Sequence, residues 1–180
     1  MNTTRTPTTT AKPFDIEAIK AYLRVTSEDE NAVISAMGST APQEIEGYCD
    51  LALLAQTITT TSEGWGADRI PLPVGPVASD TVATVAVIEA DGTATPITEG
   101  YWLEGGRYPV LHFTSTIGGR LRITYAAGYG ADHMALPADL SLAISDQAAR
   151  YFDARGNDDT PQGLTMAAAR ICARYRRVKA

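Results

Sequence analysis

The chain has 180 residues, two cysteines, a formal net charge of −6, 44% hydrophobic residues and 20% charged ones, which describes one globular domain or one domain carrying a sizeable insertion. That length buries a core without staples, and the two cysteines, Cys49 and Cys172, fall in helical patterns that suggest no disulfide framework, so synthesis in a reducing cytoplasm is expected. No apolar run nears the roughly 18 residues that span a bilayer, and the opening MNTTRTPTTTAKP lacks the apolar stretch of a secretory signal.

The first thirteen residues are rich in Thr and Pro without an apolar period, and they read as a flexible arm that cannot fold alone. Ile16, Ile19 and Leu23 then mark a short helix with one buried face. Ser27-Glu28-Asp29-Glu30 matches a capping box, in which the Ser27 hydroxyl takes the Glu30 amide and the Glu30 carboxylate answers the Ser27 amide. The same three acids could suggest a metal site, and capping explains them more simply. Val33, Ile34, Met37, Ala41, Ile45 and Tyr48 continue at helical spacing. Pro42 interrupts them and displaces the carbonyl of Gly38, so this helix either kinks or breaks, with Thr40 and Gln43 as a second cap.

From about residue 54 the period changes. Gln56 to Thr61 is rich in β-branched residues, Gly64-Trp65-Gly66 reads as a loop, and Arg69-Ile70-Pro71-Leu72-Pro73 as an extended edge segment. Val82 to Ile88 is apolar on both faces and therefore a central strand. Asp91-Gly92 is a hairpin turn. Further strands are expected at 101–103, 110–114 and 120–125, the last with Leu121, Ile123 and Tyr125 on one face. Five or six short strands make a compact antiparallel barrel or sandwich inserted between helices, an α+β fold.

Pro137 suits the first turn of the next helix, with Asp139 at its positive end. Leu140, Ile144, Ala148, Tyr151 and Phe152 form its apolar stripe, and the run from Arg155 to Pro161 ends it in a loop. A final helix is expected from about Gly163 to Val178, with Leu164, Ala168, Ile171, Tyr175 and Val178 on one side and Arg170, Arg174 and Arg177 on another. From Tyr151 onward six basic residues face three acidic ones, a net +3 that leaves −9 on the rest of a −6 chain. That asymmetry fits a tail meeting an acidic partner or nucleic acid, or cations complementing the end of a last helix.

No catalytic constellation emerges. His112 sits in a predicted strand with Thr114 and Ser115 nearby, but no base and orienting carboxylate converge on a hydroxyl. His133 beside Asp132 is far short of a metal-ligand set. Gly128-Tyr129-Gly130 lacks the third glycine of a phosphate loop and is better explained by backbone angles. No enzyme activity, cofactor or metal is expected.

Several ordered segments carry a resemblance. They are Ile19 to Val25 with Ser27 to Glu30, Ile45 to Cys49, Ala52 to Thr57, Ile70 to Val77, Ile123 to Gly130, Pro137 to Leu140, and Tyr175-Arg176-Arg177. In this order and spacing the chain resembles the head-tail connector (adaptor) family of long-tailed bacteriophages and gene transfer agents. The resemblance implies a structural virion protein that forms a homo-oligomeric ring, usually of twelve subunits, at the head-tail interface beneath the portal protein. Such a ring extends the channel for double-stranded DNA, which passes without sequence-specific binding, and seats the next stopper or tail-side connector; no membrane is involved.

The implied organisation is a Thr/Pro-rich arm at 1–13, a helical connector domain at 14–53 and 128–180, and a β insertion at 54–127. The resemblance also implies a portal-docking carboxy-terminal segment with Arg170, Arg174, Tyr175, Arg176 and Arg177 as contacts. Two departures stand out, Pro42 in what is usually a longer helix and the size of the β insertion. A competing reading makes the β insertion a small-molecule or glycan-binding module, which an apolar pocket with convergent polar groups would support.

Overall fold

The computed structural model describes residues 2–63, 66–155 and 163–176. Among them are four α-helices and eight strands in two antiparallel sheets, the mixed α+β class expected from the sequence. The chain divides into two compact units. One comprises Met1–Thr9 and Leu54–Tyr129; the other comprises Thr10–Leu53 and Gly130–Ala180.

In the β unit a five-stranded sheet has the order β1-β2-β8-β4-β5, built from β1 (Asn2–Pro7), β2 (Gln56–Glu63), β8 (Arg120–Ala127), β4 (Thr84–Ile88) and β5 (Ala94–Ile97). A three-stranded sheet has the order β3-β7-β6, from β3 (Ala67–Pro71), β7 (Val110–Ile117) and β6 (Tyr101–Glu104). Neither closes into a barrel, which corrects one of the two expected forms. The edges explain it: Pro96 in β5 and Pro71 in β3 lack the N–H that further pairing needs.

Alternation sets the register of the larger sheet. Leu121, Ile123 and Tyr125 of β8 are buried, opposite Ile58 and Thr60 of β2 and Val85 of β4. Each fully buried Leu or Ile contributes about 1.5–3 kcal/mol, so a one-residue slip, which turns all of them to solvent, is strongly disfavoured. The Tyr125 hydroxyl ends this row inside the unit, donating to Val74 O at 3.0 Å and accepting from Val74 N at 3.2 Å. The Asp91-Gly92 turn joins β4 to β5, with the Asp91 carboxylate accepting from Thr93 N at 2.8 Å and Gly92 at φ 88°.

The amino-terminal stretch, expected as an arm, forms β1 and pairs with β2 from Asn2↔Thr61 to Pro7↔Gln56. None of its side chains is buried, so it needs no apolar period. Its β-branched threonines favour an extended backbone, the hydroxyls of Thr3 and Thr60 share a 3.1 Å hydrogen bond, and Thr8 N donates to Ala55 O at 3.1 Å.

In the helical unit α1 spans Ile16–Leu23, α2 Asn31–Cys49, α3 Ala138–Asp153 and α4 Met166–Ala173. Asp15 caps α1 by accepting from Glu17 N at 3.0 Å, and Arg24 ends it in the left-handed region. The expected Ser27–Glu30 capping box does not form. The Ser27 hydroxyl takes the nearer Asp29 N–H at 3.2 Å, while the Glu30 carboxylate accepts from Arg155 at 2.9 Å. The helix therefore begins only at Asn31.

Pro42 lies inside α2, and the helix continues through it without a break. Side chains around the proline add bonds to the backbone: Thr40 Oγ1 donates to Ala36 O at 3.1 Å and Gln43 Nε2 to Ser39 O at 3.2 Å. Gly38, whose carbonyl loses its partner to the proline, presents a bare Cα to the Phe14 ring; a Cβ there would stand 2.7 Å from Phe14 Cε2. The core of this unit comprises Ile19, Ile34, Ala41, Ile45, Leu140, Ile144 and Ala148, all with almost no solvent exposure.

Candidate docking face on the last helix

The last helix is held at both ends by α3. At its start Thr165 is the N-cap, its hydroxyl accepting from Ala168 N at 3.0 Å and donating to Asp146. Thr165 N donates to Gln147 Oε1 at 2.9 Å. Gln147, with no solvent exposure, donates through Nε2 to Glu44 Oε2 at 2.8 Å, and the Tyr151 hydroxyl donates to the same oxygen. At the far end Asp139 accepts from the Tyr175 hydroxyl at 2.6 Å and from Arg174 Nη2 at 3.1 Å. Residue 165 thus lies beside 146 and residue 174 beside 139, so α4 runs antiparallel to α3.

That anchoring decides which side of α4 is presented. Ala168, Cys172 and Tyr175 are buried. Ala167, Arg170, Ile171 and Arg174 line an open hollow of about 400 Å³. The structured helix is shorter than the expected 163–178. It stops at Ala173, where the amides of Tyr175 and Arg176 both turn back to Cys172 O at 2.9 and 3.0 Å. Arg170 is exposed and makes no ion pair among the described residues. Arg176 places its guanidinium 5.2 Å from the centroid of the Tyr48 ring, a cation–π distance. Arg177, grouped with these arginines by sequence, lies outside the described residues, as do Gly64, Trp65 and most of the expected 155–161 loop.

Tyr175 was expected to stand with the arginines as a contact. In this chain the residue is only 8% exposed and its hydroxyl donates to Asp139, so it positions the helix from beneath. Two phenols in this unit, Tyr151 and Tyr22, titrate above their ordinary range. Tyr151 is pushed up first by burial and then by its bond to Glu44, against a lowering from Gln147. Tyr22, which donates to Asp146 Oδ1 at 2.7 Å, is pushed up chiefly by that bond.

The other sequence candidates have structural explanations. His112 Nε2 hydrogen-bonds to Glu104 Oε2 at 2.8 Å, and its ring stacks on Trp102 with centroids 4.1 Å apart. Trp102 faces His112 across the β6–β7 register, a cross-strand relation invisible before strand pairing was known. Asp132 caps the short 3-10 turn at His133–Ala135, accepting from Met134 N at 2.9 Å. Among the described residues no group of three or more His, Cys, Asp or Glu is placed to hold a metal ion, and no helix is long and apolar enough to cross a membrane. Gly128 takes φ 127°, and a Cβ on it would lie 2.3 Å from Leu54 O. Its glycine answers a backbone demand, as the sequence reading held.

The fold is that of chains solved within the neck and virion of gene transfer agent particles. One match comes from the neck of an empty gene transfer agent particle computed with sixfold symmetry, at TM-score 0.81 and 25% identity, covering 100% of this chain and 97% of the other. A second, from the virion of a native gene transfer agent particle, has TM-score 0.80 and 25% identity over the same shares. A third, from a native particle neck computed with twelvefold symmetry, reaches TM-score 0.79 at 23% identity, again over 100% and 97%. No family model and no curated protein matches the chain.

Proposed function

We propose that this chain is a head-tail connector (adaptor): a structural virion protein that forms a ring beneath the portal of a tailed phage or gene transfer agent. In this role it extends the DNA channel and seats the next stopper or tail-side connector. The observation that carries the reading is the likeness over the full length, 100% of this chain against 97% of a neck chain at TM-score 0.81. The sixfold and twelvefold symmetry of the matched necks supports a closed ring, which needs head-to-tail contacts whose rotation returns to the start.

Within this reading the helical unit makes the ring, with 14–53 and 128–180 as its domain. The β insertion, 54–127, faces the stopper or tail. Arg170, Arg174 and Arg176 are portal contacts, Arg177 belongs with them by sequence, and Tyr175 supports them from below. Arginine forks suit carboxylates on a protein partner. An acidic chain of net charge −6 suits a conduit, because a lumen that bound many phosphates would hold the DNA it must release.

The test is to mix the purified chain with its portal and image the product. A ring on the portal is expected, and Arg170→Glu with Arg176→Glu should weaken the association by at least about tenfold. Portal and chain that never associate would reject the adaptor role; association unchanged by both substitutions would reject the docking face alone.

A further inference from the structure

We propose that Cys49 and Cys172 are a disulfide-forming pair, a covalent modification site that ties the end of α2 to α4. The two residues are 123 positions apart, yet the Cys49 thiol donates to Cys172 O at 3.5 Å. Both are free thiols buried in the helical unit. A carbonyl oxygen lies about 2.4 Å from its own Cα by standard backbone geometry. The Cys49 sulfur is therefore within about 6 Å of the Cys172 Cα, and closing the cystine requires the two Cα atoms to stand about 4.4–6.8 Å apart.

The two thiols also act on each other's protonation. Cys49 is pushed far up, first by its bond to Cys172 and then by burial, and keeps its proton. Cys172 is lowered by accepting from Cys49, against burial and the charges of Asp139 and Glu44. In the step below Cys172 is the attacking sulfur.

With hydrogen peroxide as oxidant the step balances. The Cys172 sulfur attacks one peroxide oxygen, the O–O bond breaks, and the departing hydroxide takes up the thiol proton as water, leaving a sulfenic acid. The Cys49 sulfur then attacks the Cys172 sulfur. The S–S bond forms, the S–O bond breaks, and the Cys49 proton leaves with the hydroxyl as a second water. Two electrons pass from the thiols to the peroxide, and a dithiol reductant reverses the bond. Because both sulfurs are buried, the reaction proceeds through local opening of α4 and is slower than at a surface cysteine.

The consequence is mechanical. In the thiol form α4 depends on its capping hydrogen bonds and its buried face; in the disulfide form it is also joined covalently to α2, closing a long loop and restricting the unfolded chain. Nothing in the sequence suggested this, because the spacing gives no framework and proximity arises only when α4 folds back along α3.

The experiment treats the full-length native chain with hydrogen peroxide, followed by thiol titration, peptide mapping and thermal unfolding. The expected product is a single chain lighter by about 2 Da, for the two hydrogens lost, with no titratable thiol and a linked peptide pair containing Cys49 and Cys172. Its Tm should rise by about 5 °C or more and return after dithiothreitol. Cys49→Ser should give no linked pair. Two thiols surviving oxidation, a sulfinic acid at Cys172 without cross-link, or a bond formed only between chains would each overturn the proposal.

Discussion

The Tyr175 hydroxyl donates to Asp139 Oδ1 at 2.6 Å while Arg174 engages the other carboxylate oxygen at 3.1 Å, so one acid in the first turn of α3 holds both the buried and the exposed side of the last helix. Removing the hydroxyl alone with Tyr175→Phe keeps the ring in place and deletes a bond to a charged acceptor. The partly exposed carboxylate moderates the loss, and a destabilisation of about 1–1.5 kcal/mol is expected. Urea unfolding measures it; Arg174→Ala, which breaks a surface pair, should cost no more than about 0.5 kcal/mol. Equal losses from both would show that the phenol does not anchor the helix.

Gln147 should matter more. It has no solvent exposure, and it gives Thr165 N its acceptor and Glu44 a donor. Gln147→Leu preserves volume but strands Thr165 N and leaves Glu44 with Tyr151 as its donor, at a cost of roughly 2–3 kcal/mol. The midpoint of thermal unfolding should fall by about 5–10 °C for a chain of this size. An unchanged midpoint would mean that water replaces the amide without loss.

The raised phenols set a pH dependence at the alkaline end. Tyr151 and Tyr22 both titrate above the ordinary phenol value of 10.0 in the folded chain. Above that value the unfolded chain releases these protons while the folded chain still holds them, so stability falls as pH rises. Below the unfolded pKa the contribution is fully present; it is lost as pH climbs through the raised values. Urea midpoints measured from about pH 8 to 11 should decline, and less so in Tyr22→Phe with Tyr151→Phe. A decline unaltered by the double substitution would assign it to other groups.

Two glycines of α2 should respond with opposite signs. At Gly47 a Cβ meets nothing within 4 Å, so Gly47→Ala should stabilise by about 0.5–1 kcal/mol through helix propensity. At Gly38 the same methyl would meet the buried Phe14 ring at 2.7 Å and Ile19 Cδ1 at 3.0 Å. Overpacking of about 1–3 kcal/mol then outweighs the propensity gain, and Gly38→Ala should destabilise. Chemical denaturation of the two variants decides it, and stabilisation at Gly38 would show that Phe14 is free to move.

Much of this architecture is written in local pattern. The alternation of Leu121, Ile123 and Tyr125, the two-faced apolar run ending at Ile88 and the proline before α3 each announce their element because burial face and backbone angle depend on neighbouring residues alone. What stayed hidden depends on partners far along the chain. β1 carries no apolar signal because an edge strand of threonines is held by its ladder with β2. The Ser27 box fails because Asp29 is a nearer donor and Arg155 draws Glu30 away. For the docking face the arginine cluster and the apolar side carrying Tyr175 were legible, whereas the Tyr175–Asp139 bond and the Glu44–Gln147–Thr165 chain required α3 and α4 to be seen side by side.

The interleaving of the two units has a consequence for how the chain is made. Each is assembled from two separated stretches, and β2 must wait for β8, 65 positions later between Thr59 and Thr124, while the end of α2 must wait for α4. The β unit is complete once residue 129 has been made, whereas the helical core cannot close until α3 and α4 follow. Such late closure of distant contacts slows folding and leaves the nascent α1 and α2 without their permanent neighbours until α3 and α4 have been synthesised.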